Sequence, residues 1–219
     1  MVIGGGGGIG SALCDELERA AAYVRVIRLG RPDLDLRDEA TIARAAARLT
    51  DCRIRLVVNA AGVLHDGERQ PEKSLRHLDP EFLERCFAVN AIGPALLMKH
   101  ILPLLPRRGR AVFACLSARV GSIGDNRLGG WYGYRASKAA LNQLVHTAAI
   151  ELARTHSDAV CVALHPGTVE TRLSAPYLRD GVPCLTPAQS AGHLLAAIDR
   201  LGPADSGGFF DWRGKPIPW

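Results

Sequence analysis

The chain has 219 residues, 47% of them apolar and 22% charged, with a formal net charge of +5. That length suits one domain, taken as 1–219, with a single large core, and the apolar share excludes a disordered chain. Its six cysteines include no Cys-x-x-Cys and its seven histidines no His-x-x-x-His, so buried thiols are expected and no metal site.

The basic residues are dispersed, and only Arg107-Arg108-Gly109-Arg110 clusters. A solvated turn accounts for that cluster, so no nucleic-acid partner is expected. No stretch of 18 or more apolar residues lacks a charge, and Met1-Val2-Ile3 runs into glycine without the basic and apolar regions of a signal peptide. The expected setting is therefore the cytoplasm, with no membrane partner.

In chain order, Met1–Ile3 predicts a clipped strand, followed by glycines and a helix near Ile9–Ala21. Val24–Leu29 predicts a second strand, then a very short segment at Asp33–Leu36 and an alanine-rich helix near Glu39–Leu49. Ile54–Val58 is a continuous β-branched and apolar run, as in a strand buried on both faces. Asp79-Pro80 caps a helix that continues toward Leu105, with proline at the first helical position. Ala111–Leu116 is another buried strand. The helix after it carries Leu141, Leu144, Val145, Ala148, Ala149 and Leu152 on one stripe. Val160–Leu164 and Gly207–Trp212 complete the strands. This alternation predicts an α/β fold: a single-domain, Rossmann-type doubly wound parallel sheet with helices on both faces.

Three local patterns carry chemistry. Gly4-Gly-Gly-Gly-Gly8-Ile9-Gly10 lies between a strand and a helix. Glycine there lets the backbone approach a pyrophosphate and aim amides and a helix N-terminus at its charge. A flexible linker is the other reading, and the placement directly after a strand argues against it. Tyr134 and Lys138 lie four apart at the head of a helix, on one face. An ammonium beside a phenol favours the phenolate, so the spacing predicts a pKa lowered from ~10 and a tyrosine that donates and accepts protons. Pro94 lacks an amide hydrogen, so the carbonyl of Asn90, four residues back, has no helical partner there. That oxygen is free for a water in a proton relay; a packing kink at Gly93-Pro94 is the alternative.

With these placed, the chain resembles the short-chain dehydrogenase/reductases along nearly its whole length, closest to the branch of the C-factor signalling protein and small carbonyl reductases. Further matching stretches are Asn59-Ala60-Ala61-Gly62, Val89–Pro94, Ser117–Asn126 and His165–Thr171, in the expected order. The resemblance implies roles residue by residue. Tyr134 exchanges the proton with the substrate oxygen, Lys138 holds the nicotinamide ribose, and Asn90 organises a water. Gly4, Gly8, Ile9 and Gly10 cradle the pyrophosphate, while Asn59 and Gly62 line the adenosine side. Asp35 meets the adenine amino group, Val169 and Thr171 hold the carboxamide, and Pro166 and Gly167 also contact the cofactor. The segment Arg172–Thr186 covers the pocket. A homodimer or homotetramer is also implied, through the helix after Lys138.

Two departures stand out. The family's polarising serine falls at Ala118, so Ser122 is the candidate replacement, because losing one oxyanion donor costs ~10²–10³ in rate. The second strand ends in Leu29-Gly30-Arg31, with no acid for an adenosine 2′-hydroxyl and with Arg28 and Arg31 near a 2′-phosphate. NADP(H) is therefore preferred, with NAD(H) second. The function expected is carbonyl–alcohol interconversion on a small-molecule substrate. The alternatives are a dinucleotide-binding signalling or regulatory protein with little turnover, and an epimerase or dehydratase using the same pair.

Overall fold

The strands are short apolar runs set between turn-forming residues, and the helices between them supply the cover on both sides. The computed structural model describes residues 1–67, 69–178, 181 and 183–219. In chain order the elements are β1 (Val2–Ile3), α1 (Gly8–Ala20), β2 (Arg28–Leu29), α2 (Glu39–Ala47) and β3 (Leu56–Asn59). There follow α3 (Pro80–Phe87), a π-helical turn (Ala88–Ile92), α4 (Gly93–Ile101), β4 (Ala111–Leu116) and α5 (Tyr132–Ala153). Last come β5 (Ala159–His165), α6 (Pro187–Arg200) and β6 (Phe209–Asp211).

The strands lie side by side in the order β2-β1-β3-β4-β5-β6, every neighbouring pair parallel. This is the doubly wound Rossmann-type arrangement expected from the alternation. Successive side chains of β4 point to opposite faces. Val112, Ala114 and Leu116 pack with α1 and α6, whereas Ala111, Phe113 and Cys115 pack with α2, α4 and α5. Phe113 is fully buried, which contributes on the order of 1.5–3 kcal/mol. The stripe of α5 faces the same core through Leu141, Val145, Ala149 and Leu152.

One edge of the sheet is shorter than the sequence predicts. Val24–Leu29 forms strand only at Arg28–Leu29, and Asp33–Leu36 forms none. The cause is the partner strand: β1 has two residues, so it offers register only to Arg28 and Leu29. Val24 projects into solvent. Leu34 and Leu36 turn inward instead, and a Cβ added to Gly93 of α4 would lie 2.5 Å from the Leu36 Cβ.

Helices α2, α3 and α6 start at side-chain caps. Asp38 accepts the Ala40 amide at 3.0 Å, and Asp79 accepts the Phe82 amide at 2.7 Å with Pro80 at the first position. Helix α6 has a capping box, Thr186 accepting from the Gln189 amide (3.2 Å) and Gln189 from the Thr186 amide (2.9 Å). Its buried face, Ser190, Ala191, Leu194, Ala197 and Ile198, has helical spacing, and Thr186-Pro187-x-Gln189 is the signal that marks its start. The continuous helical stretch Pro80–Leu104 spans 25 residues and is long and apolar enough by composition to cross a membrane. In this fold Phe82, Cys86, Leu97, Met98 and Ile101 of that stretch are core.

Candidate active site

The glycine loop joins β1 to α1 as a tight turn. Gly4 has φ +77, and the Gly7 amide donates to the Gly4 carbonyl at 2.9 Å. Gly10 presses against the turn so closely that a Cβ there would lie 2.1 Å from the Gly4 oxygen. Helix α1 starts at Gly8 with no side-chain cap and no acid in its first turn. Its first amides and positive dipole end are thus presented to an anion. A Cβ on Gly8 would lie 2.9 Å from the Thr171 methyl, so the glycine loop and the segment after β5 close on one another. These close approaches, which only glycine permits, fit a pyrophosphate cradle.

Across the sheet ends, Asn90, Lys138 and Tyr134 converge. Asn90 is fully buried in the π-helical turn, where the Gly93 amide reaches five residues back to Ala88. Such turns recur at functional sites. The expected kink thus takes the form of a π-turn. The Asn90 side chain accepts the Val63 amide (2.9 Å) and donates to the Val63 carbonyl (2.8 Å) and to Ser137 Oγ (3.1 Å). Ser137 in turn donates to the Tyr134 carbonyl at 2.9 Å. A Cβ on Gly62 would lie 3.3 Å from Asn90 Oδ1 and 3.6 Å from Lys138 Nζ. Lys138 Nζ donates to the Leu116 carbonyl at 2.9 Å and sits 5.8 Å from the Tyr134 ring centroid.

On the other side of the glycine loop, Asn59 is buried and accepts the Ala61 amide at 3.2 Å, shaping the turn after β3. The Pro166 carbonyl accepts from Ser190 Oγ at 2.8 Å, and Gly167 (φ +87) packs on Trp212. Val169 is buried and pairs with Leu185, and Thr171 Oγ1 lies 3.0 Å from Ser174 Oγ. Within the expected cover Arg172–Thr186, Ala175–Tyr177 form a helical turn; Arg179, Asp180 and Val182 lie outside the described residues.

The family model described as short chain dehydrogenase matches residues 31–180. The chain belongs to that family. It is 33% identical to the 1-hydroxy-2-glutathionyl-2-methyl-3-butene dehydrogenase of Rhodococcus sp. (strain AD45) over 96% of this chain and 88% of that protein. It is 36% identical to the C-signal protein of Myxococcus xanthus over 67% of this chain and 84% of that one. Among solved structures it is similar to an NADPH-bound carbonyl reductase from chicken fatty liver, with a TM-score of 0.83 and 26% identity over 100% of this chain and 98% of that one.

Against the family pattern, this short chain dehydrogenase differs from the sequence expectations at three points. First, Ser122 does not replace the serine missing at Ala118: its hydroxyl donates to the Pro218 carbonyl and accepts the Asp125 amide at 3.1 Å. It ties the loop after β4 to the Pro216–Trp219 segment, as does the Gly124 amide on the Trp219 carbonyl (2.7 Å). Ser117 is also engaged, with Asn142 Oδ1 at 2.7 Å.

Second, burial pushes the Tyr134 phenol above its ordinary range, helped by the Cys86 thiol, where the Tyr–Lys spacing predicted a lowering. The ammonium sits over the ring, 5.8 Å from its centroid, and burial lowers its own pKa to about 8. Desolvation outweighs charge attraction here.

Third, Arg28 is taken by the carboxylates of α1, Asp15 at 2.7 Å and Glu18 at 3.0 Å, which leaves Arg31 exposed at the open sheet edge. Asp35 pairs with Arg37 at 3.0 Å, and that hydrogen bond holds its carboxyl below the ordinary value.

Lys138 gives a stability prediction with a definite sign. Its folded pKa of about 8 lies below the ordinary 10.5, so between these values the unfolded chain holds a proton that the native protein has lost. Stability therefore rises with pH across that window, and the cost of the buried ammonium is fully present below about pH 8. Lys138→Met is expected to stabilise the protein at pH 7 by on the order of 2 kcal/mol, the unpaired Leu116 carbonyl offsetting part of the gain. Thermal melts of both proteins at pH 7 and pH 10 check this: the gap should shrink at the higher pH.

Proposed function

We propose that this chain interconverts a carbonyl and an alcohol on a small molecule, with NADP(H) as cofactor. The observation that carries the reading is the convergence of Lys138 Nζ and Asn90 Oδ1 beside Gly62, with Tyr134 on the same helix face. The cofactor's pyrophosphate would rest on Gly4, Gly8, Ile9 and Gly10, its ribose on Lys138, and its carboxamide near Val169 and Thr171. Bound there, NADPH supplies hydride chemistry.

The chain's own residues supply the rest. Burial keeps the Tyr134 phenol protonated at neutral pH, so it donates a hydrogen bond to the carbonyl oxygen and then its proton as the oxygen becomes an alcohol. Lys138, through its ammonium, stabilises the phenolate left behind. Asn90 holds the loop after β3 and, with its turn carbonyl, organises a water through which Lys138 exchanges protons with solvent. Since Ala118 has no hydroxyl and Ser122 is engaged with Pro218, the phenol carries the polarisation of the substrate oxygen.

The NADP preference rests on Gly30 where an acid would contact the 2′-hydroxyl, and on exposed Arg31 beside it. The chicken relative, which binds NADPH, supports it. We further propose a homodimer or homotetramer through the outer face of α4 and α5, where Ala95, Met98, Leu144 and Ala148 line a groove of about 570 Å³.

The test is NADPH oxidation over a set of aldehydes, ketones and quinones, with titration of NADP⁺ and NAD⁺. Carbonyl-dependent oxidation and NADP⁺ binding tighter by about tenfold are expected. No oxidation across the set while NADP⁺ still binds would overturn the oxidoreductase reading; equal or tighter NAD⁺ binding would overturn the preference.

A further inference from the structure

Trp131 carries the backbone outlier nearest the reacting phenol. Its φ of 54° and ψ of 43° lie in the left-handed region, and Gly129 and Gly130 before it both have φ of 63°. Glycine adopts this backbone freely; a bulky side chain does so only where its surroundings force it. Here they do. The Trp131 amide donates to the Glu72 carbonyl at 2.5 Å, and the Gly133 amide to the Glu72 carboxylate at 3.1 Å. From the other side Arg135 donates to the carbonyls of Gly130 (2.9 Å), Gly129 (3.2 Å) and Val120 (3.2 Å).

Glu72 is 3% exposed and reaches α5 from 61 residues away, at a helix end that has no capping side chain of its own. Gly133 has no room for a side chain beside it, since a Cβ would lie 2.8 Å from Glu72 Oε1. A buried carboxylate, an arginine and a glycine thus converge to hold one strained tryptophan. Strain of this kind clusters where a side chain must be placed for function.

The strain places an indole edge-on to two rings: Tyr134 at 6.2 Å between centroids and Tyr177 at 5.2 Å. Tyr177 lies 5.8 Å from His65 in the same manner, and its hydroxyl is held by Gln70. Four rings from three separate segments thus form a line that ends at the proton-transferring phenol. Both ring nitrogens of His65 are buried with no hydrogen-bond partner among the described residues.

We propose that Trp131 determines substrate specificity: with Tyr177 and His65 it forms a wall that receives an aromatic ring attached to the reacting carbonyl or carbinol carbon. Ring edges and faces favour an aromatic partner over an aliphatic one of similar size. The assignment of a reacting carbon rests on the oxidoreductase reading; the wall binds its ring with or without turnover.

The experiment is calorimetric titration of two apolar alcohols of similar size, 1-(2-naphthyl)ethanol and 2-decanol, into the NADPH-saturated protein, where an alcohol has no hydride acceptor, and into the protein alone. The wild type is expected to favour the naphthyl alcohol by about tenfold. Trp131→Gly is expected to bring the two affinities together; the left-handed strain it relieves is set against the lost ring contacts and the freer unfolded chain, so a modest fall in Tm is compatible with it. Trp131→Phe keeps a ring in place and should keep most of the preference. Three results overturn the proposal: a wild type that binds neither alcohol or prefers neither, a glycine variant that keeps the preference, and a phenylalanine variant that loses it. Because these readouts involve no turnover, a silent NADPH assay counts against the oxidoreductase reading alone.

Discussion

Replacing Tyr134 with Phe is expected to lower turnover by ~10³-fold or more while leaving dinucleotide affinity and stability unchanged. The substitution removes one hydroxyl and keeps the ring, so the edge contact with Trp131 at 6.2 Å and the approach of Lys138 at 5.8 Å persist. What goes is the proton. Neither Ala118 nor Ser122 supplies a second hydroxyl to the substrate oxygen, so the loss should exceed that in an enzyme where a serine shares the charge. Steady-state kinetics on any carbonyl the wild type reduces, together with NADP⁺ titration of both proteins, checks the expectation. A near-normal rate in the variant would remove Tyr134 from the chemistry. A loss of NADP⁺ binding would instead assign the hydroxyl to holding the cofactor.

What was legible in the chain was local. Gly8-Ile9-Gly10 opening a helix, Tyr134 and Lys138 one turn apart, and Pro94 four residues after Asn90 each fix geometry over a few residues, and the structure has the corresponding turn, helix face and π-turn. What was not legible depends on distant partners. Ser122 looked free until the Pro218 carbonyl, 96 residues on, accepted its hydrogen bond. Arg28 looked ready for a phosphate until α1 placed Asp15 and Glu18 against it.

Glu72 sits in a polar loop that gives no hint of a buried carboxylate; only the fold brings it to Gly133. The sign of the Tyr134 shift failed for a related reason. Spacing reports the nearby ammonium, whereas burial is a property of the packed chain, and burial dominates. The missing strand at Asp33–Leu36 is a third case, because a strand needs a partner as well as a pattern, and β1 ends after two residues.

Gly10→Ala is the substitution expected to disrupt the fold and the cofactor site together. Its Cβ would lie 2.1 Å from the Gly4 oxygen, 2.8 Å from the Gly4 carbonyl carbon and 3.2 Å from the Gly5 Cα. All three are backbone atoms, so no side chain can swing aside. Either α1 moves off β1 or the Gly4 turn opens, and both break the Gly7-to-Gly4 hydrogen bond that shapes the loop. The expected cost is about 2–4 kcal/mol of stability, with NADP⁺ affinity lowered by roughly a hundredfold. Gly6→Ala separates the two effects: nothing lies within 4 Å of its added Cβ, so the fold should hold. Its methyl group would nonetheless project from the exposed loop where the pyrophosphate is proposed to rest, and NADP⁺ should bind more weakly at unchanged Tm. Thermal melts and NADP⁺ titrations of both variants decide the matter. If Gly6→Ala bound NADP⁺ as the wild type does, and Gly10→Ala lost affinity only in proportion to unfolding, the glycines would serve packing and the phosphate would have to sit elsewhere.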